Sequence, residues 1–265
     1  MRPSHLIAVN SAACYVLAFL ITTVLHECGH AFVGSWLGSA PVLHHNYVAH
    51  FQRETLPVSH QVLIAMAGPL VSLVQGSIMA WFLHRRYGGG IGSLSGLWLM
   101  LLGFGNFLGY LLTGPFFSGG DLGKAEVLLE LPMSVRVIIA LVGGALLTLV
   151  AYGSTRKFLS FAAEQSTLGS PSTRLHFNRS IIILPWLLGS LVVTLLYLPI
   201  VAIISIIYPI MSGMVFIFPW KNAKRITNAI ALGSSSLQRP APWLYAALIG
   251  MAVIFRLVLA PGIVL

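Results

Sequence analysis

The 265-residue chain has very little charge: 8% of its residues are Asp, Glu, Lys or Arg, while 57% are hydrophobic. A soluble domain carries about 25% charged residues, and mean hydropathy here is +0.89. These values exclude an ordinary soluble globule and give an expected fold class: an all-α, polytopic transmembrane helical bundle with six or seven spans. Acidic residues are scarcest, namely Glu27, Glu54, Asp121, Glu126, Glu130 and Glu164, so Asp121 is the sole aspartate. There are two cysteines, Cys14 and Cys28, both in the first apolar segment, which offer neither a disulfide framework nor a thiolate metal cluster. The net charge of +9 does not indicate nucleic acid. The Lys and Arg residues sit in short connections between apolar spans, as topology signals and contacts to lipid headgroups.

Apolar runs place spans at about 6–37, 58–83, 93–112, 135–152 and 243–259. The amino terminus superficially resembles a signal peptide, but cleavage near Ala12–Ala13 would destroy the first helix, so it reads as an uncleaved span. Ile181–Trp220, punctuated by Pro185, Pro199, Pro209 and Pro219, is too long for one crossing. It reads either as a helical hairpin turning near Pro199 or as one span plus a re-entrant piece. The hairpin collects Arg2, Arg85, Arg86, Arg156, Lys157, Arg174, Arg179, Lys221, Lys224, Arg225 and Arg239 on one side. Arg53, Lys124 and Arg136 are left on the other. That asymmetry satisfies the positive-inside rule with a cytoplasmic amino terminus and favours seven crossings. Residues 38–57 form a polar connection, with His44, His45, His50 and His60 in or beside it. No repeat, separate soluble domain or oligomeric state is legible.

Against this background the segment His26-Glu27-Cys28-Gly29-His30 stands out, because it lies inside an uncharged, membrane-grade stretch. Histidines at i and i+4 share one helix face, so both imidazoles can bind one Zn²⁺. Glu27 lies near that face and suits a general base acting on a zinc-bound water. Cys28 turns away from the His face and reads as a packing residue. Ionisable groups at membrane depth are costly and mark functional sites. A catalytic zinc takes three protein ligands, and Asp121 is the outstanding candidate for the third. It follows the third span in a Pro/Gly-rich segment, Thr113–Gly123, that cannot continue a regular helix. The competing reading makes Asp121 an N-cap for a helix carrying Glu126 and Glu130.

These motifs together resemble the site-2 protease family of intramembrane zinc metalloproteases. The resemblance rests on the His26–His30 motif, on Ala67-Gly68-Pro69 in the next span, and on Pro115 with Gly120-Asp121 after a later span. It implies a three-span catalytic core within residues 1–133, with 134–265 supplying additional transmembrane helices. It also implies Zn²⁺ held by His26, His30 and Asp121, Glu27 as catalytic base, and Asn106 as a substrate-binding amide. The implied activity is cleavage of a peptide bond in or near a transmembrane segment of a membrane-protein substrate, in the setting of regulated intramembrane proteolysis. Two features depart from the family pattern. The usual Asp-Gly is replaced by Gly-Gly-Asp-Leu-Gly, and Asn106 is farther from the aspartate than usual. The family also places its zinc toward the cytoplasmic face, whereas the charge bias places His26 and His30 toward the opposite one. The alternative function is a metal-binding transporter or metal sensor, with the loop histidines as its entry site.

Overall fold

The computed structural model describes residues 3–86, 88–198, 209–233 and 235–265. The fold is an all-α bundle, and among the described residues six helices are long and apolar enough to cross a membrane. Helix α1 (Pro3–Trp36) is followed by a hairpin of β1 (Pro41–Leu43) and β2 (Val48–His50), then by α2 (Val58–Arg85), α3 (Ile91–Thr113) and the short α4 (Asp121–Leu128). The second half contains α5 (Met133–Leu159), α6 (Pro171–Asn178), α7 (Leu184–Leu196), α8 (Ile217–Asn222), α9 (Pro242–Val253) and β3 (Ile263–Val264). A turn of π-helix over Arg179–Ile183 joins α6 to α7, and another over Ile254–Leu259 extends α9. Four prolines mark helix starts, Pro57 and Pro132 preceding α2 and α5 and Pro171 and Pro242 opening α6 and α9, whereas Pro69 lies inside α2.

Small residues set how closely the first three helices pack. A Cβ on Gly29 of α1 would stand 2.9 Å from the Ala67 carbonyl of α2, and one on Gly103 of α3 would stand 2.8 Å from the Gly76 nitrogen of α2. Backbones approach this closely in membranes because small residues replace the missing hydrophobic drive with van der Waals contact. Trp98 of α3 anchors the centre, edge-on to Tyr15 (ring centroids 5.1 Å apart), Phe158 (5.2 Å) and Phe216 (5.2 Å). Its Nε1 donates to Ser11, which donates to the Ile181 carbonyl. The outward faces are apolar: Ile138, Leu141, Val142 and Leu149 on α5, and Leu187, Leu188, Leu191 and Leu195 on α7, are all exposed. Water would penalise such surfaces, whereas lipid does not.

The two ends of the bundle differ. At one end Asn10 donates to the Leu237 and Arg239 carbonyls, Arg174 to the Leu168, Ala223 and Lys224 carbonyls, and Leu232 N–H to the Ser160 carbonyl. This end carries the basic residues from Arg85 to Arg239, with the exceptions of Lys124 and Arg136. At the other end lie the hairpin, α4 and the carboxyl end of α9. The part of the chain described after α7 runs beside it, with the Pro209 carbonyl accepting from Ser190 at 2.8 Å. The hairpin turn expected near Pro199 falls on 199–208, outside the described residues.

Residues 38–57, read from sequence as a polar connection, contain the two short strands β1 and β2. Gly38 (φ 80°) reverses the chain after α1, and β1 pairs antiparallel with both β2 and β3 in the order β2-β1-β3.

Candidate metal centre

Three acceptor atoms converge where α1, α2 and α4 meet. His26 Nε2 and His30 Nε2 lie 3.1 Å apart, and Asp121 Oδ2 is 3.0 Å from the first and 3.2 Å from the second. Their near-equilateral spacing is close to one face of a metal tetrahedron, whose edges are about 3.3–3.5 Å for bonds of about 2.0–2.2 Å. Among the described residues, no other three His, Cys, Asp or Glu side chains converge in this way.

The opposite edges of the rings fix which nitrogen faces inward. His30 Nδ1 is 2.6 Å from the Ile64 carbonyl, which can only accept, so Nδ1 carries the proton and Nε2 presents a lone pair. Ser72 donates to the Gly68 carbonyl at 3.3 Å and is left to accept from His26 Nδ1 at 3.2 Å. Burial works against charge on Asp121, yet His30 and His26 opposite it hold its carboxyl well below the usual carboxylate range. In the metal-free group a proton on an imidazole nitrogen bridges to Asp121, and a metal ion could take that proton's place once both Nε2 atoms are deprotonated. The residues therefore fit a metal ion, and outer contacts of this kind are what orient ligating histidines.

One face of α2 performs this orientation. Ile64, Gly68 and Ser72 recur every four residues, so they line one stripe of the helix. Gly68 makes the arrangement possible, because a Cβ there would collide with His30 Nε2 and come within 2.8 Å of His26 Nε2. On the other side Tyr110 of α3 stacks on His26, with centroids 5.6 Å apart and planes at 13°. Sequence reasoning missed Ser72 and Tyr110. The four-residue spacing of Gly68, Ser72 and Gly76 in an apolar helix was the available signal for the first, and nothing local marks the second.

Asp121 does not cap α4. Gly120 occupies the cap position, no side-chain cap bond forms there, and Asp121 is the first helical residue with its carboxylate turned to the histidines. Helix α4 also ends at Leu128, before Glu130, whose φ of 51° has left the helix.

Glu27 is buried beside the triangle, in the wall of a cavity of about 1320 Å³. That wall also includes His26, Asp121, Tyr110, Asn106 and Asn46. Asn106, one helical turn before Tyr110, therefore faces the cavity rather than the metal triangle. Asn46 reaches it from the turn between β1 and β2. Cys28 packs instead with Ala31, Leu43 and Leu259.

No family model, curated protein or solved structure matches the chain.

The loop histidines take separate places. His44 stacks on Tyr47 (4.4 Å) and bonds the Ala260 carbonyl, and His50 bonds Ser39 at 2.8 Å. His45 is buried against Phe255 and Tyr197, with neither ring nitrogen hydrogen-bonded. Burial, with Arg256 and His44 nearby, lowers His45 from 6.5 to about 4. Burial, with Arg53, His30 and Lys124, does the same for His50. Between these values the unfolded chain binds the extra protons, so stability is fully present above the ordinary histidine value and is lost as pH falls toward 4. Melting temperature in detergent is expected to fall progressively as pH drops below about 6.5. His45→Phe should flatten part of that fall. A melting temperature that holds or rises on acidification would contradict the burial of neutral imidazoles.

Proposed function

We propose that the chain is an integral, multi-pass membrane metalloprotease. On this reading it holds Zn²⁺ through His26, His30 and Asp121 and hydrolyses a peptide bond in or near a transmembrane segment of a membrane-protein substrate. The observation that carries this reading is the convergence of three acceptor atoms, with Glu27 beside them, on the wall of a cavity between helices that face lipid. It agrees with the resemblance to the site-2 protease family. A helix about 10 Å across fills roughly 400 Å³ per 5.4 Å turn, so the cavity has room for about three turns of a substrate helix.

Zinc, when bound, supplies Lewis acidity toward a carbonyl and lowers the pKa of water. The chain's own residues do the rest. Glu27, whose carboxylate is buried, takes a proton from the attacking water and passes it to the leaving amine. Asn106 stands in the wall where a substrate backbone would pass. Thr113, Phe117, Gly119 and Gly120 border the cavity, a backbone too irregular to pack a helix flush against it. That leaves space for a substrate to unwind and expose a carbonyl. The positive-inside rule puts the basic end of the bundle in the cytoplasm, so the metal centre opens toward the opposite side.

The test is purified Glu27→Gln, reconstituted with a panel of single-span substrates alongside wild type. Metal content should be unchanged and cleavage should fall by about a thousandfold or more. Cleavage at the wild-type rate would refute the proposal.

A further inference from the structure

We propose that Arg53 and Lys124, near Asp121 but outside the lining of the cavity, form a subsite for a carboxylate carried by the substrate. The inference deepens the protease reading and rests on it.

The placement of charge comes first. The metal end of the bundle is poor in cations: Arg53, Lys124, Arg136 and Arg256 are its only Lys or Arg residues among those described. Two of these are tied to neighbouring carbonyls. Arg136 Nε donates to Leu131 at 2.8 Å, and Arg256 Nη1 donates to Leu196 and Leu198. Lys124 remains, on the helix that carries Asp121, and so does Arg53, which also donates to a carbonyl but keeps a buried Nε without an acceptor. Arg53 sits in the turn between β2 and α2, fixed by one bond from Nη2 to the Gln61 carbonyl at 3.1 Å. Lys124 lies one turn after Asp121 on α4, and α4 packs against α2.

Their surroundings lack the anion they would need. Among the described residues, neither cation lies within ion-pair distance of a carboxylate, since the only ion pairs there join the two histidines to Asp121. Arg53 Nε is buried with no acceptor, an unmet donor that a carboxylate oxygen would satisfy. The two cations and Asp121 lie within electrostatic reach of one another, with Glu54 the other carboxylate near Lys124. Burial pushes both cations toward their neutral forms, and Arg53 adds to that pressure on Lys124. Once Asp121 is committed to a metal, its charge no longer balances theirs.

Neither residue lines the cavity, whereas Gly119, Gly120 and Asp121 do. Asp121 thus lines the apolar chamber and lies within electrostatic reach of two cations outside its lining. A substrate lying across the metal centre would leave its apolar part in the chamber and meet Arg53 and Lys124 beyond the scissile bond. A carboxylate there is either an acidic side chain or a free carboxyl terminus.

Three labelled synthetic peptides separate these sources. Each has roughly twenty apolar residues with a Gly-Pro break, followed by a polar end bearing a Glu with an amidated terminus, a Gln with a free terminus, or a Gln with an amidated terminus. Binding is read by fluorescence anisotropy on full-length Glu27→Gln protein in nanodiscs of neutral lipid, with zinc and again after chelation. At least one carboxylate peptide should bind roughly tenfold tighter than the neutral one, whether or not metal is present. Which of the two does so names the source. The advantage should shrink to less than about threefold in Arg53→Gln/Lys124→Gln, and in the Glu27→Gln background alone it should fade as NaCl rises from about 20 to about 500 mM. Equal or absent binding of all three peptides would overturn the proposal, as would an advantage insensitive to salt and to both substitutions. An advantage that disappears on chelation would place the carboxylate on the metal instead. Blocking by added phosphatidylglycerol at constant ionic strength would assign the pair to lipid. Because nothing is cleaved, these outcomes are independent of whether wild type proves to be a protease.

Discussion

Gly68→Ala is expected to yield a folded protein that no longer retains metal. The added methyl group would occupy the space of His30 Nε2 and come within 2.8 Å of His26 Nε2, the two nitrogens that face the metal position. Neither imidazole can step aside cheaply. His30 is held by Nδ1 to the Ile64 carbonyl at 2.6 Å and His26 by Nδ1 to Ser72 at 3.2 Å, both from the helix that carries the new methyl group. Helix α2 packs closely on both α1 and α3 through Gly29 and Gly103, so any retreat disturbs those contacts. Overpacking of this kind costs about 1–3 kcal/mol of stability. The larger effect is on affinity, since displacing outer-shell support alone costs about 10–100-fold and here the ligating atoms themselves move. Metal content after dialysis against a weak chelator should fall below a tenth of the wild-type value, with the helical signal retained. Full occupancy in Gly68→Ala would show that the ion, if any, binds elsewhere.

Asp121→Ala separates the two roles that its sequence allows. As an N-cap, its loss would cost about 1 kcal/mol of stability and leave metal binding alone. As a ligand 3.0 and 3.2 Å from the two histidine nitrogens, its loss removes one of three protein donors. Zinc affinity should then drop by at least about a hundredfold, in step with His26→Ala, and helix α4 should persist because Gly120 is its cap. Binding that survives in Asp121→Ala would mean that another group supplies the third bond, the loop histidines being the nearest chemical alternative.

The candidate metal group was legible in the sequence because it depended on rarity. Ionisable groups are so few in this chain that a His pair in an apolar helix and a solitary aspartate identified one another across ninety-odd residues, and the structure brings them to 3.0 and 3.2 Å. Spans were legible for the same reason, since long uncharged runs have few alternatives to a bilayer. Features that depend on partners distant in sequence were not legible. The β3–β1 pairing joins Val264 to Val42, and its strands are too short to carry a period-2 pattern. The stack of Tyr110 on His26 and the burial of His45 against Phe255 depend on how helices cross, which composition does not encode. At Asp121 local propensity alone supports only the competing cap reading, and the carboxylate instead faces two histidines on another helix.

The zinc K-edge X-ray absorption spectrum of the purified, zinc-loaded protein tests the central claim most directly. The account predicts a first shell of nitrogen and oxygen at about 2.0–2.2 Å, with outer-shell scattering from two imidazoles. In Asp121→Ala that spectrum should be altered or lost. Sulfur at about 2.3 Å, three or more imidazoles, or a protein that takes up no zinc would each contradict it.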